Sequence, residues 1–165
     1  MRGTTVLVDT NAIIEAHRTK VWPALTGAYP VETVEDCIVE TQTGFQRRKV
    51  EQMIDASALR ASLASVHSVS HPERAELAVR IHGIALDLGE ESLWAHALGR
   101  EDAWLLCGPD MASLRCGVRL GFRERLVALE KLLNRVGHRP RLVLRQQYTT
   151  KWLDRTLGEM VLADR

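Results

Sequence analysis

The sequence predicts an α/β fold built on a short, mainly parallel central sheet. Three observations carry this. Short apolar runs of strand length, Val6–Val8, Val31–Val34, Val66–Val69 and Trp104–Cys107, alternate with stretches whose apolar residues recur every three or four positions. Strands alternating with helices in this way are the signature of a parallel sheet covered by helices. The runs at Val8 and Cys107 also end close to an acid, Asp9 and Asp110, with a helical segment opening directly behind it, and open α/β sheets place their ligands at such strand ends.

Taken in order, Val6-Leu7-Val8 forms a buried strand that stops at Asp9 and runs through Thr10-Asn11 into the helix Ala12–His17. Trp22-Pro23 and Gly27–Pro30 read as a loop or turn region. Val31–Val34 is a short strand, followed by a helix over Asp36–Gln42 that Gly44 ends. Phe45–Leu63 is polar and helical in its spacing, with Arg47-Arg48-Lys49 near its start. Val66–Val69 is another short strand. Pro72 then opens a helix, a position where its missing N–H does no harm. Leu77, Ile81, Ile84 and Ala85 fall on one face of that helix, which ends near Asp87-Leu88-Gly89. A further helix begins at Gly89 or Glu90 and carries Leu93, Trp94, Ala97 and Leu98. The strand Trp104–Cys107 stops at Gly108-Pro109-Asp110, and Met111–Arg115 starts the next helix. Leu126–Leu129 reads as a last short strand or as the start of a helix through Leu133. Finally, Trp152, Leu153, Leu157, Met160 and Val161 share one face of a helix over Tyr148–Leu162.

The 165 residues fit a single domain over 1–165, long enough to bury a real core. A net charge of +1 sets up no global field toward nucleic acid or membrane, and no stretch approaches the ~20 apolar residues of a membrane span. The charge is nevertheless uneven. Arg115, Arg119, Arg123, Arg125, Lys131, Arg135, Arg139, Arg141 and Arg145 face only Glu124 and Glu130 over the same stretch, a composition suited to a polyanion or to a solvated helix face. Cys37, Cys107 and Cys116 form no CxxC pair, and Cys37 and Cys107 sit among apolar residues. They read as core side chains of a reducing, cytoplasmic setting.

Four acids carry the chemistry. Asp9 and Asp110 end two strands. Glu40 lies in a helix beside apolar Ile38 and Val39, and Glu90 with Glu91 opens a helix after Gly89. Each has a structural role open to it: Asp9 and Asp110 as helix caps, Glu90 and Glu91 as acids at the positive end of a helix dipole. Asp87 and Asp102 read as solvated loop residues. Carboxylates brought within ~4–6 Å repel unless a cation neutralises them, and Mg²⁺ is a hard cation commonly held by a few carboxylates plus substrate phosphates.

The run Val6-Leu7-Val8-Asp9-Thr10-Asn11, with Glu40 in Ile38–Thr41, an acid after Leu88-Gly89 and Asp110 after Leu105–Cys107, resembles the motifs of PIN-domain nucleases, including the toxin ribonucleases of bacterial toxin–antitoxin pairs. The likeness runs from Val6 to about Leu129. It implies a three-layer α/β/α sandwich in which Asp9, Glu40, Glu90 and Asp110 hold one or two Mg²⁺ or Mn²⁺ ions, with Glu90 preferred to Glu91 as the third ligand. Thr10 or Asn11 would orient the first carboxylate or a water. The implied reaction is in-line hydrolysis of single-stranded RNA by metal-bound water. An antitoxin protein and a homodimer are further partners the resemblance implies, and Arg47, Arg48, Arg115 and Arg119, with the region to Arg125, are candidate phosphate contacts. Two features depart from the family pattern: the stretch from Phe45 to Ser70 is longer than in a minimal toxin, and the third acid is a Glu where many relatives carry Asp.

Other chemistries fit less well. An Asp-nucleophile phosphatase wants a second acid two residues after the first, and here that residue is Asn11. No GxGxxG or GxxxxGK[ST] occurs. His17, His67, His71, His82, His96 and His138 show no HxH or HExxH spacing, so zinc is not expected, and His96 reads as a helix-surface residue. The alternative from another class is a catalytically silent PIN-like module that binds RNA or a protein.

Overall fold

The computed structural model describes residues 3–43 and 53–163. Four strands, β1 (Thr5–Val8), β2 (Val31–Val34), β3 (Ser65–His67) and β4 (Trp104–Cys107), form one all-parallel sheet in the order β3-β2-β1-β4. The helices among the described residues are α1 (Thr10–Arg18), α2 (Trp22–Ala28), α3 (Glu35–Gln42), α4 (Ala56–Ser62), α5 (His71–Arg80), α6 (Leu88–Leu98), α7 (Met111–Arg119), α8 (Leu129–Arg135) and α9 (Thr150–Ala163). Short 3₁₀ turns lie at Arg123–Arg125 and Gln146–Tyr148.

The strand order places the site. From β1 the chain steps outward to β2 and β3, then returns to lay β4 on the other side of β1. The order therefore reverses between β1 and β4, and the crevice beyond the carboxyl ends of strands at such a reversal is where α/β sheets bind ligands. β1 and β4 are paired in register from Thr5↔Trp104 to Val8↔Cys107, so Asp9 and Asp110 leave the sheet at the same edge.

Successive strand residues point to opposite faces. Val6, Val8 and Cys107 pack with Ala12, Ile13, Leu25, Leu129 and Leu132 on one side. Leu7 and Leu106 pack with Leu77, Leu93, Trp94, Leu114, Leu157 and Met160 on the other. Helices on both faces make the three-layer α/β/α sandwich. Asp9, Asp55, Ser70, Asp87 and Asp110 supply the side-chain N-caps of α1, α4, α5, α6 and α7, each a contribution of about 1 kcal/mol.

Four expectations need correction. Trp22–Ala28 is a helix rather than a loop, with Pro23 in its first turn where a lost N–H costs nothing. The helix after Pro72 stops at Arg80, because the chain turns at Gly83 with φ of +88° and then reaches Asp87, which caps α6. Within the long helical stretch expected over Phe45–Leu63, the described residues form a helix only at Ala56–Ser62. Leu126 makes a single parallel bridge to Leu106, and the helix begins at Leu129. Among the described residues no helix is long and apolar enough to cross a membrane.

Candidate functional site

Asp9 follows β1 and caps α1. Its Oδ1 accepts the Ala12 amide at 2.7 Å, which holds the carboxylate in place. The side chain is only 2 % exposed, and its Oδ2 has no hydrogen-bond partner. Two further buried oxygens without partners belong to the same sequence motifs: Thr10 Oγ1, the next residue on α1, and Glu40 Oε1 on α3. A buried polar atom left unpaired costs about 1–3 kcal/mol, so three of them at one strand edge mark a place built for something else.

The backbone around these oxygens is pared away to admit them. A methyl added to Gly108, in the turn after β4, would lie 2.5 Å from Asp9 Oδ2, and one added to Gly89 on α6 would lie 1.9 Å from Glu40 Oε1. At either distance the carboxylate would have to shift, so glycine at both positions lets α6 and the β4 turn close over the two carboxylates where they stand.

The other acids come from the helix N-termini at the same edge. Asp110 caps α7, its Oδ1 accepting the amides of Ala112 at 2.9 Å and Ser113 at 3.2 Å. Asp87 and Glu90 form a capping box on α6: Asp87 Oδ1 accepts the Glu90 amide at 2.9 Å, and Glu90 Oε2 accepts the Asp87 amide at 3.4 Å. Capping and clustering are thus compatible, since each cap uses part of a carboxylate's accepting capacity.

These acids repel one another. Burial, and then the charges of Asp110, Asp87 and Glu40, push the Asp9 carboxyl from 3.8 up to about 7. Burial, followed by Asp110 and Asp87, pushes Glu90 up to about 8. Burial and then Asp87 raise Glu40 as well. Asp87 is therefore a fifth member of the cluster. It is exposed as expected of a loop acid, yet its charge reaches Asp9, Glu40 and Glu90. The sequence signal that reveals it is the Asp-x-x-Glu spacing of a capping box.

Glu91 lies elsewhere. It pairs with Arg74 at 3.2 Å, and Arg74 also holds Asp36 at 2.9 Å. Asn11 is exposed, and its main-chain carbonyl accepts the Tyr148 hydroxyl at 3.1 Å. Asp102 pairs with Arg100 at 2.6 Å.

Arg115 and Arg119 project from the face of α7 that begins at Met111, one residue past Asp110. They line a groove of about 250 Å³ against Thr156, Met160 and Ala163 of α9. Arg119 Nη1 donates to the His82 carbonyl at 2.7 Å. Arg125 does not join them. Its guanidinium lies over the Trp104 ring, 4.6 Å from the centroid, and donates to the Trp104 carbonyl, at the start of β4 and so at the opposite edge from Asp110. Arg47 and Arg48 lie outside the described residues.

The histidines also differ from expectation. His96 is half-buried, not a surface residue, and stacks on His67 with 3.8 Å between ring centroids. Burial, His67 and Arg100 push it down to about 4. Glu32 completes this second group. His67 and His96 stand 29 positions apart on a strand and a helix, so no spacing rule links them. No protein-family model and no curated protein matches the chain.

Proposed function

We propose that the protein is a metal-dependent endoribonuclease that hydrolyses phosphodiesters of single-stranded RNA. The observation that carries this reading is the set of three buried, unpartnered oxygens, Asp9 Oδ2, Thr10 Oγ1 and Glu40 Oε1, among acids that raise one another's pKa. The Gly89 amide and the Thr10 hydroxyl lower the Glu40 pKa only in part, no well-formed hydrogen bond satisfies the three oxygens, and a hard divalent cation answers them and the repulsion together.

The donors fit Mg²⁺ or Mn²⁺: all are oxygens, mostly carboxylate, on strand and helix ends. Asp9, Glu40, Glu90 and Asp110 would hold the ion or ions, with Asp87 adding negative charge from the α6 cap. Such an ion, when bound, would neutralise the acids and make a water easier to deprotonate, and so a better nucleophile toward phosphorus.

The chain's own groups divide the remaining work. The Ala12 amide engages Asp9 Oδ1 and leaves Oδ2 as the donor. The Ala112 and Ser113 amides fix Asp110 through its Oδ1, and its carboxyl group is hydrogen-bonded to that of Glu90. Thr10 places its buried hydroxyl between Asp9 and Glu40, whose pKa it lowers, and so is suited to orienting a carboxylate or a water. Arg115 and Arg119 offer cations to phosphates that flank the scissile bond. Thiolate chemistry is disfavoured: burial pushes the thiols of Cys37 and Cys116 up to about 12 and that of Cys107 higher.

The test is cleavage of a labelled single-stranded RNA mixture with Mg²⁺, Mn²⁺ or EDTA, beside Asp9→Asn and Asp110→Asn. Cleavage that needs metal and is lost in both variants supports the reading. No cleavage under any of these metals overturns it in favour of an RNA- or protein-binding module.

A further inference from the structure

Glu32 on β2, His67 on β3 and His96 on α6 bring one ligand-type atom each within 4.8 Å of the others. His67 Nε2 lies 2.5 Å from Glu32 Oε1. Arg100 Nη1 lies 3.0 Å from Glu32 Oε1 and 3.0 Å from His96 Nε2. A guanidinium only donates, so the His96 Nε2 that faces it carries a free lone pair. One cation, a side chain, thus already rests on two of the three groups. That side chain also grips Asp102 through Nε at 2.8 Å and Nη2 at 2.6 Å, and Asp102 is 52 % exposed.

We propose that Glu32, His67 and His96 are the protein ligands of a Zn²⁺ site for which Arg100 competes as an internal cation. Two imidazoles and one carboxylate, completed by water, are a recurrent zinc donor set. Imidazole nitrogen distinguishes the group from the all-oxygen cluster at Asp9, which suits a harder ion. The site lies at the far end of α6 from that cluster: Glu90 and His96 are six residues apart, about 9 Å of helix.

Loading requires three local changes. Arg100 withdraws toward Asp102, which it already holds by two bonds. The His67 ring carries its proton on Nδ1, freeing Nε2. The His96 ring, now within 17° of parallel to His67, turns about its Cβ–Cγ bond so that the two lone pairs converge. The ion then ties the last turn of α6 to β2 and β3.

The experiment is Zn²⁺ titration of the full chain against a chromophoric chelator, with Co²⁺ absorption as a report on geometry. Wild type, Asp9→Asn, His96→Asn and Arg100→Met are compared, with circular dichroism confirming that each is folded. With excess Mg²⁺ present to occupy the acid cluster at Asp9, the expected result is one Zn²⁺ bound equally by wild type and Asp9→Asn, with the intense visible bands of tetrahedral Co²⁺. His96→Asn weakens binding by at least about 100-fold, and Arg100→Met tightens it by about tenfold as the competing charge is removed. Zn²⁺ binding absent from both wild type and Arg100→Met overturns the proposal. So does binding that Asp9→Asn abolishes and His96→Asn leaves intact. If His96→Asn fails to fold, Arg100→Met decides, because it keeps all three donors: an affinity unchanged or weaker than wild type overturns the proposal.

Discussion

Gly89 and Glu40 are in such close approach that a single methyl on the glycine would sit 1.9 Å from Glu40 Oε1. Gly89 is in the first turn of α6, where alanine would ordinarily stabilise the helix by up to about 1 kcal/mol. Here the opposite is expected. Gly89→Ala should displace Glu40, lower divalent-cation affinity by at least about tenfold, and leave the helical content unchanged. Calorimetric metal titration with circular dichroism checks this; a more stable variant with undiminished metal binding contradicts it.

The pH dependence of the metal-free protein has a definite sign. Asp9 and Glu90 hold their protons up to about 7 and about 8 in the fold, against ordinary values of 3.8 and 4.5. With folded values above unfolded ones, the folded state binds more protons over that range, so stability is lost as pH rises from about 4 to about 8. For Asp9 alone the loss is about 4 kcal/mol once both states are ionised. His96 and His17, held below their ordinary 6.5 by burial, act in the opposite sense at lower pH, so thermal unfolding in EDTA should show Tm falling between about pH 6.5 and 8, with the slope reduced by saturating Mg²⁺. A Tm that stays level or rises would contradict the clustering.

Asp9→Asn tests the trade between stability and function. The amide keeps the shape of the side chain and removes a buried charge that other acids repel. At pH 8 in EDTA the variant should unfold at a higher temperature than wild type while its RNA cleavage falls by at least about 100-fold. Lower stability together with wild-type cleavage would show that Asp9 is only a cap.

The two neighbouring glutamates should separate cleanly. Glu90 is buried and faces Asp110 and Asp87, whereas Glu91 is paired with Arg74. Glu90→Gln is expected to lower cleavage by about tenfold or more. Glu91→Gln is expected to leave cleavage near wild type and to cost at most about 1 kcal/mol of stability, as partly exposed ion pairs do. The reverse ranking in a side-by-side assay would reassign the third ligand.

RNA binding should run through Arg115 and Arg119. Measured with Asp9→Asn in EDTA, so that no cleavage intervenes, the affinity for a single-stranded oligonucleotide should fall steeply with salt. Replacing either arginine by alanine should reduce the log–log salt slope by about 0.7. Slopes unchanged in both variants would place the strand elsewhere.

The sheet was legible because each strand is a compact apolar run bracketed by turn residues, and Asp9 and Asp110 were legible because they sit just past two of those runs. Gly89 pointed to a helix start carrying Glu90 and Glu91 but did not separate the two; the helix begins one residue earlier, at Leu88, and packing turns Glu90 toward Asp110 and pairs Glu91 with Arg74. What escaped did so for physical reasons. Asp87 looks like a solvated acid because it is one, and only its reciprocal cap with Glu90 draws it into the cluster. The helix at Trp22–Ala28 was masked by Gly27 and Pro30, although Pro23 stands where a helix start favours proline. Arg125 counts as a free cation by composition, and only packing reveals that it is spent on Trp104. The Glu32, His67 and His96 group is assembled by β-pairing and by the end of α6, which leave no periodic trace.

The central claim is that the buried oxygens of Asp9 and Glu40 exist to hold a divalent cation. The most direct measurement is calorimetric titration of wild type, Asp9→Asn and Glu40→Gln with Mn²⁺ at neutral pH, each shown to be folded. The expected result is saturable binding by wild type that both substitutions weaken severely. Mn²⁺ binding that is absent from the wild type, or that both variants retain in full, would contradict it.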